Sequence, residues 1–171
     1  MAGVPMLIAF CGLPGAGKTT LARSLAHRLQ ATYLRIDTIE DTLLADDGGP
    51  LVAGGAGYRV AYAIAEENLK LGRTVVADSV NPIRITRAAW RDVANRAGAK
   101  LIDVVVTCSD RAQHQSRVEA RPPGTRGSAW AEVLSRQFDT EHGGAIVIDT
   151  ARRSVEQCLA ALEAALQDRT R

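Results

Sequence analysis

Short apolar runs alternate with longer stretches in which apolar residues recur every three or four positions. The runs at 6–11, 32–36, 74–77, 101–107 and 145–148 are strand-like and show no alternation of polarity, as in strands covered on both faces. Helical spacing follows at 18–30, 38–44, 57–71, 83–97, 110–120 and 154–167, with a short helix expected after Ser128. Strand and helix taking turns in this way predicts βα units around a parallel sheet. Two segments break the order. Residues 46–57 carry five glycines and a proline, and residues 121–128 read RPPGTRGS, so neither supports regular structure. In such sheets ligands bind at the carboxyl ends of the strands, which makes loops there candidate lids.

Composition narrows the class. At 171 residues, 46% apolar and 23% charged, the chain fits one globular domain with a full core. A net charge of +2 gives no reason to expect a nucleic-acid or membrane partner. Cys11, Cys108 and Cys158 have neither disulfide nor metal-site spacing, which suits a reducing cytoplasm. The apolar stretch 6–10 is too short for a signal core or a membrane span. Arginine greatly outnumbers lysine, and the planar guanidinium is the better fork for phosphate oxygens.

The chemistry begins at Gly12-Leu13-Pro14-Gly15-Ala16-Gly17-Lys18-Thr19, which matches GxxxxGK[ST] between an apolar strand and a helical pattern. In that context the loop curls its backbone N–H groups around an anion, and the helix adds its positive end. Lys18 is then expected at the β- and γ-phosphates of ATP, Thr19 on Mg²⁺, and Thr20 near the α-phosphate. Asp37, closing the run YLRID, is a candidate base for an acceptor hydroxyl, or else an N-cap for the next helix. Asp78 closes TVVAD and fits a carboxylate holding Mg²⁺ through its waters, or else a turn residue in DSVNP. Arg117 and Arg121 share a helix face beside the RPPGTRGS loop, where with Arg126 they could close over a triphosphate. Ser79, Asn81, Tyr58, Arg59 and Tyr62 are weaker candidates for the acceptor side. No role is read for His27, His114 or His142, and Trp90 and Trp130 are expected to pack.

With these motifs the chain resembles the small AAA-type P-loop kinases, which include polynucleotide kinase domains, zeta-toxin-like proteins and antibiotic-modifying phosphotransferases. The resemblance runs nearly the whole length, through GLPGAGKTT, RID at 35–37, VVADSVN, RVEAR from Arg117 and the closing IVIDT. It implies a P-loop nucleoside-triphosphate hydrolase fold, with a five-stranded parallel sheet flanked by helices and a short arginine-bearing lid at 117–128. It further implies ATP and Mg²⁺, Asp37 as the activating carboxylate, Arg117 and Arg121 in the lid, and a loop at 149–152, including Arg152, beside the adenine. One position departs from the pattern. Polynucleotide kinases place an arginine three residues after the aspartate to hold a 3′-phosphate, and Glu40 stands there instead. That disfavours a nucleic-acid end and points to a neutral or cationic small-molecule acceptor. The absence of an NKxD sequence argues against a GTPase. A kinase acting on a small alcohol, as a monomer or homodimer, is the expectation. The alternative is an ATP-binding accessory protein that hydrolyses slowly and transfers nothing.

Overall fold

The computed structural model describes residues 4–170 apart from 46–54, 82, 123, 124, 126, 128, 137 and 139–142. Its elements in chain order are β1 (Met6–Cys11), α1 (Lys18–Leu29), β2 (Thr32–Arg35), α2 (Ile36–Ala45), α3 (Ala56–Lys70) and β3 (Val75–Asp78). There follow α4 (Arg84–Arg96), β4 (Lys100–Thr107), α5 (Arg111–Glu119), α6 (Trp130–Ser135), β5 (Ile146–Asp149) and α7 (Val155–Thr170). The five strands form one parallel sheet in the order β2-β3-β1-β4-β5. This is the five-stranded, helix-flanked sheet expected from the sequence.

Each sheet face carries its own helices, which is why the strands show no polar alternation. Ile8, Phe10, Val76, Val104 and Val106 point to the face covered by α1 and α7, where Leu21, Leu25, Leu159 and Leu162 close the core. Leu7, Ala9, Val75 and Ala77 point to the other, against Ala61, Ala65 and Leu69 of α3 and Trp90 and Val93 of α4. Fully burying a side chain of leucine or valine size stabilises by about 1.5–3 kcal/mol, so both layers are needed to offset chain entropy.

Because every strand runs the same way, the residues that end them gather on one edge. Phe10 and Arg35 flank Asp78 in register, and Thr107 stands beside Asp149. Three strand ends differ from the sequence reading. Asp78 and Asp149 are the last residues of their strands, one position beyond the expected ends. The second strand is the reverse case. It stops at Arg35, and Ile36 and Asp37 already belong to the first turn of α2. Asp37 is therefore neither the end of a strand nor the residue before a helix. Ile36 is buried at 2% exposure, so its hydrophobic side chain packs into the core from a helix as it would from a strand.

Candidate active site

A cavity of about 700 Å³ opens at this carboxyl edge. It brings together Pro14, Gly15, Gly17, Lys18, Thr19 and Thr20 of the loop and α1 with Asp37, Asp78, Arg117 and Arg121. Gly12 and Ala16 are buried and do not line it. At Gly12 the requirement is steric: φ is 143°, and a Cβ would lie 2.2 Å from the carbonyl oxygen of Val106. Its N–H donates to the Val80 carbonyl at 3.2 Å, so the loop is anchored where it leaves β1.

Three loop carbonyls are taken up by protein donors. Leu13 O accepts from Lys18 Nζ at 2.9 Å, Pro14 O from His114 Nε2 at 2.8 Å, and Ala16 O from Thr150 Oγ1 at 2.8 Å. Occupied carbonyls are turned away from an anion, and a loop held in that sense presents its N–H groups to one. His114 and Thr150 were not singled out from the sequence. Helical spacing held the signal for His114, since 114, 117 and 121 share a face of α5 and its extension. Thr150 lies inside the IVIDT segment, but nothing in that string distinguishes a hydroxyl that caps a distant carbonyl.

Lys18 is 7% exposed, and burial is the main influence that pulls its ammonium down to about 8. Asp78 and then Asp37 oppose that fall by their negative charge, while Arg121 adds to it. The two carboxylates differ in setting. Asp78 is 3% exposed; Tyr33 Oη donates to its Oδ2 at 2.8 Å, and Arg35 Nε stands 4.0 Å from the same oxygen. Asp37 has 36% of its side chain exposed and meets Arg35 Nη2 at 3.5 Å. A carboxylate held on one oxygen in a buried site keeps a fixed position, whereas a half-open one can meet a ligand.

The arginines divide. Arg117 reaches back to the strand edge, donating to Thr150 Oγ1 at 2.8 Å and to its carbonyl at 3.3 Å. Arg121 donates to the Gly127 carbonyl at 3.0 Å, and the Gly127 backbone lies against the Pro14 ring, so Gly127 rests on the glycine loop. Arg126 lies outside the described residues. Arg152 does not line the cavity. Its φ is 55°, its side chain is 84% exposed, and its Nε donates to Asp110 Oδ2 at 3.0 Å. The turn after β5 sends Arg153 to the cavity in its place, and Arg136 lines the wall as well. Of the weaker candidates, Tyr58 and Ser79 line the cavity. Tyr62 stacks edge-on with Trp90, 4.5 Å between centroids, as part of the core.

A family model described as an AAA domain matches residues 7–144, which include the glycine loop, both carboxylates and the Arg117–Arg121 face. The chain belongs to that family. It is 25% identical over 161 residues to a probable adenylyl-sulfate kinase of Aeropyrum pernix, spanning 85% of this chain and 83% of the relative. The APS kinase CysC of Mycobacterium tuberculosis, solved with AMPPNP and APS, superposes at TM-score 0.75 and 20% identity over 96% of this chain and 99% of that one. A gluconokinase from Sinorhizobium meliloti 1021 superposes at TM-score 0.69 and 18% identity, over 98% and 95%. At these identities the structural likeness is one of fold. Among the described residues no helix is long and apolar enough to cross a membrane.

Proposed function

We propose that the chain is an ATP-dependent kinase that transfers the γ-phosphoryl group to a hydroxyl of a small molecule, with Asp37 as the base. The observation that carries this reading is a single cavity with Lys18 and Thr19 at the glycine loop and Asp37 half-open toward the same space. Relatives named as kinases of adenylyl sulfate and gluconate support transfer to a small-molecule hydroxyl.

The roles follow from setting. Asp37, open to the cavity, takes the proton of the acceptor hydroxyl as its oxygen bonds to phosphorus and the β,γ-bridging bond breaks. Lys18 neutralises charge that develops on the phosphoryl oxygens, and its lowered basicity is restored when an anion sits beside it. Arg117 and Arg121, which line the same cavity, add to that neutralisation. The Thr19 hydroxyl and the Asp78 carboxylate, which both line the cavity, are oxygen donors and fit Mg²⁺, which keeps several waters and takes one or two carboxylates. When bound, the ion would offset phosphate charge, with Thr19 and Asp78 holding it.

Asp37→Asn tests the assignment. It keeps shape and hydrogen bonding but removes the proton acceptor, so transfer should fall by ~10²–10⁴-fold while calorimetric ATP affinity barely changes. Unchanged turnover would move the base to Asp78, whose asparagine variant would then be the inactive one.

A further inference from the structure

Charged residues that line the cavity fall into two groups by origin. Lys18, Arg117, Arg121, Arg136 and Arg153 come from α1, from α5 and the segments after it, and from the turn after β5. Asp37, Glu40 and Asp78 come from α2 and the end of β3. The strand order separates these origins, since β2 and β3 lie on one side of β1, and β4 and β5 on the other. A polyphosphate belongs with the cations, which leaves the carboxylate wall for the acceptor.

Two of the three carboxylates have a use in the transfer, Asp37 as base and Asp78 beside the metal, and Arg35 contacts both. Glu40, which also lines the cavity, is given no step in the transfer itself. It stands three residues after Asp37 on α2, so both project from one helix face with Cβ atoms about 5–6 Å apart. The position is also prepared from across the gap. Gly57 sits in the first turn of α3 without a positive φ, where alanine would favour the helix more. A Cβ there would lie 2.2 Å from Glu40 Cγ and 3.2 Å from its Oε1, so the missing methyl is the space Glu40 occupies. Tyr58 follows, with its hydroxyl accepting the Asn81 N–H at 3.1 Å. Burial chiefly raises its basicity, with Glu40 and Asp37 adding to the rise, so a neutral phenol stands beside both carboxylates.

We propose, on the phosphotransfer reading above, that the acceptor is an amino alcohol or amino sugar whose protonated amine is held by Glu40 while Asp37 receives the hydroxyl proton. The amine makes and breaks no covalent bond; ADP leaves as the acceptor oxygen takes the phosphoryl group. An anionic acceptor such as adenylyl sulfate or gluconate would meet like charge on this wall, so this chain parts from relatives named for such substrates.

The test is ADP release from Mg·ATP with glucosamine, ethanolamine and serinol, each against its amine-free counterpart (glucose, ethylene glycol, glycerol), and with gluconate and adenylyl sulfate. Amines should exceed their counterparts by about tenfold or more in kcat/KM, a preference of the size one charge pair gives in a partly closed site. Glu40→Gln should bring that ratio toward one. Gly57→Ala should do the same without altering any charge, by displacing Glu40. Equal use of neutral or anionic acceptors, or a ratio indifferent to Glu40→Gln, overturns the amine assignment and leaves phosphotransfer standing. Release unmoved by every acceptor overturns the phosphotransfer reading itself, and the amine assignment falls with it.

Discussion

At the scale of single residues, Lys18 is held at a cost to the fold. Its ammonium is buried and pulled down to about 8 from an ordinary lysine value near 10.5. Below the folded value both states are protonated and the folded one carries the whole desolvation penalty, on the order of 3 kcal/mol. Between about 8 and 10.5 the unfolded chain binds more protons, so this contribution makes stability rise with pH. Lys18→Met should therefore be more stable than the parent at pH 7, with the gap closing by pH 10 in paired denaturant titrations. ATP affinity of the parent should fall as pH passes 8, because the charge that meets phosphate is lost. A variant no more stable than the parent at pH 7 would show that Lys18 is not strained. Lys18 and Thr19 were legible in the sequence because a motif and its strand–helix context agree on them. Arg152 and Arg153 were not distinguishable, since one left-handed residue in a turn decides which of two adjacent arginines faces the cavity.

At the scale of elements, α5 joins the glycine loop to the turn after β5. Its N-cap Asp110 accepts the Gln113 N–H at 3.1 Å and pairs with Arg152, and the first of these chiefly holds its carboxyl below the usual range. Its folded value is depressed, so the stability it gives is full above the unfolded value, about 3.9, and is lost as pH falls below it. Asp110→Ala should lower Tm at pH 7 and converge with the parent at acid pH by calorimetry; a pH-independent difference would assign the loss to packing. The helix itself was legible from spacing. Its contacts were not, because His114 Nε2 to Pro14 O and Arg117 to Thr150 join residues far apart in the chain. The start of α2 was misplaced for a local reason. Arg35-Ile36 reads as continued strand, and only the turn geometry of the folded chain puts Ile36 and Asp37 in a helix.

At the scale of the molecule, the sheet was legible because each run is apolar on both faces, and that pattern leaves few alternatives to a parallel sheet between helix layers. The same topology sorts charge. It delivers the arginines to the cavity from the β4–β5 side of the sheet and the carboxylates from the β2–β3 side, with the glycine loop and Lys18 between them. On the proposed reading the cations meet the anionic donor and the carboxylates meet the acceptor, so the phosphoryl group should pass to the acceptor rather than to water. Phosphorus NMR of a Mg·ATP reaction containing an amino alcohol observes that choice directly. The γ-phosphate should reappear as a phosphate monoester of the acceptor, one for each ADP formed. Inorganic phosphate as the sole product, at a rate the acceptor does not change, would contradict it.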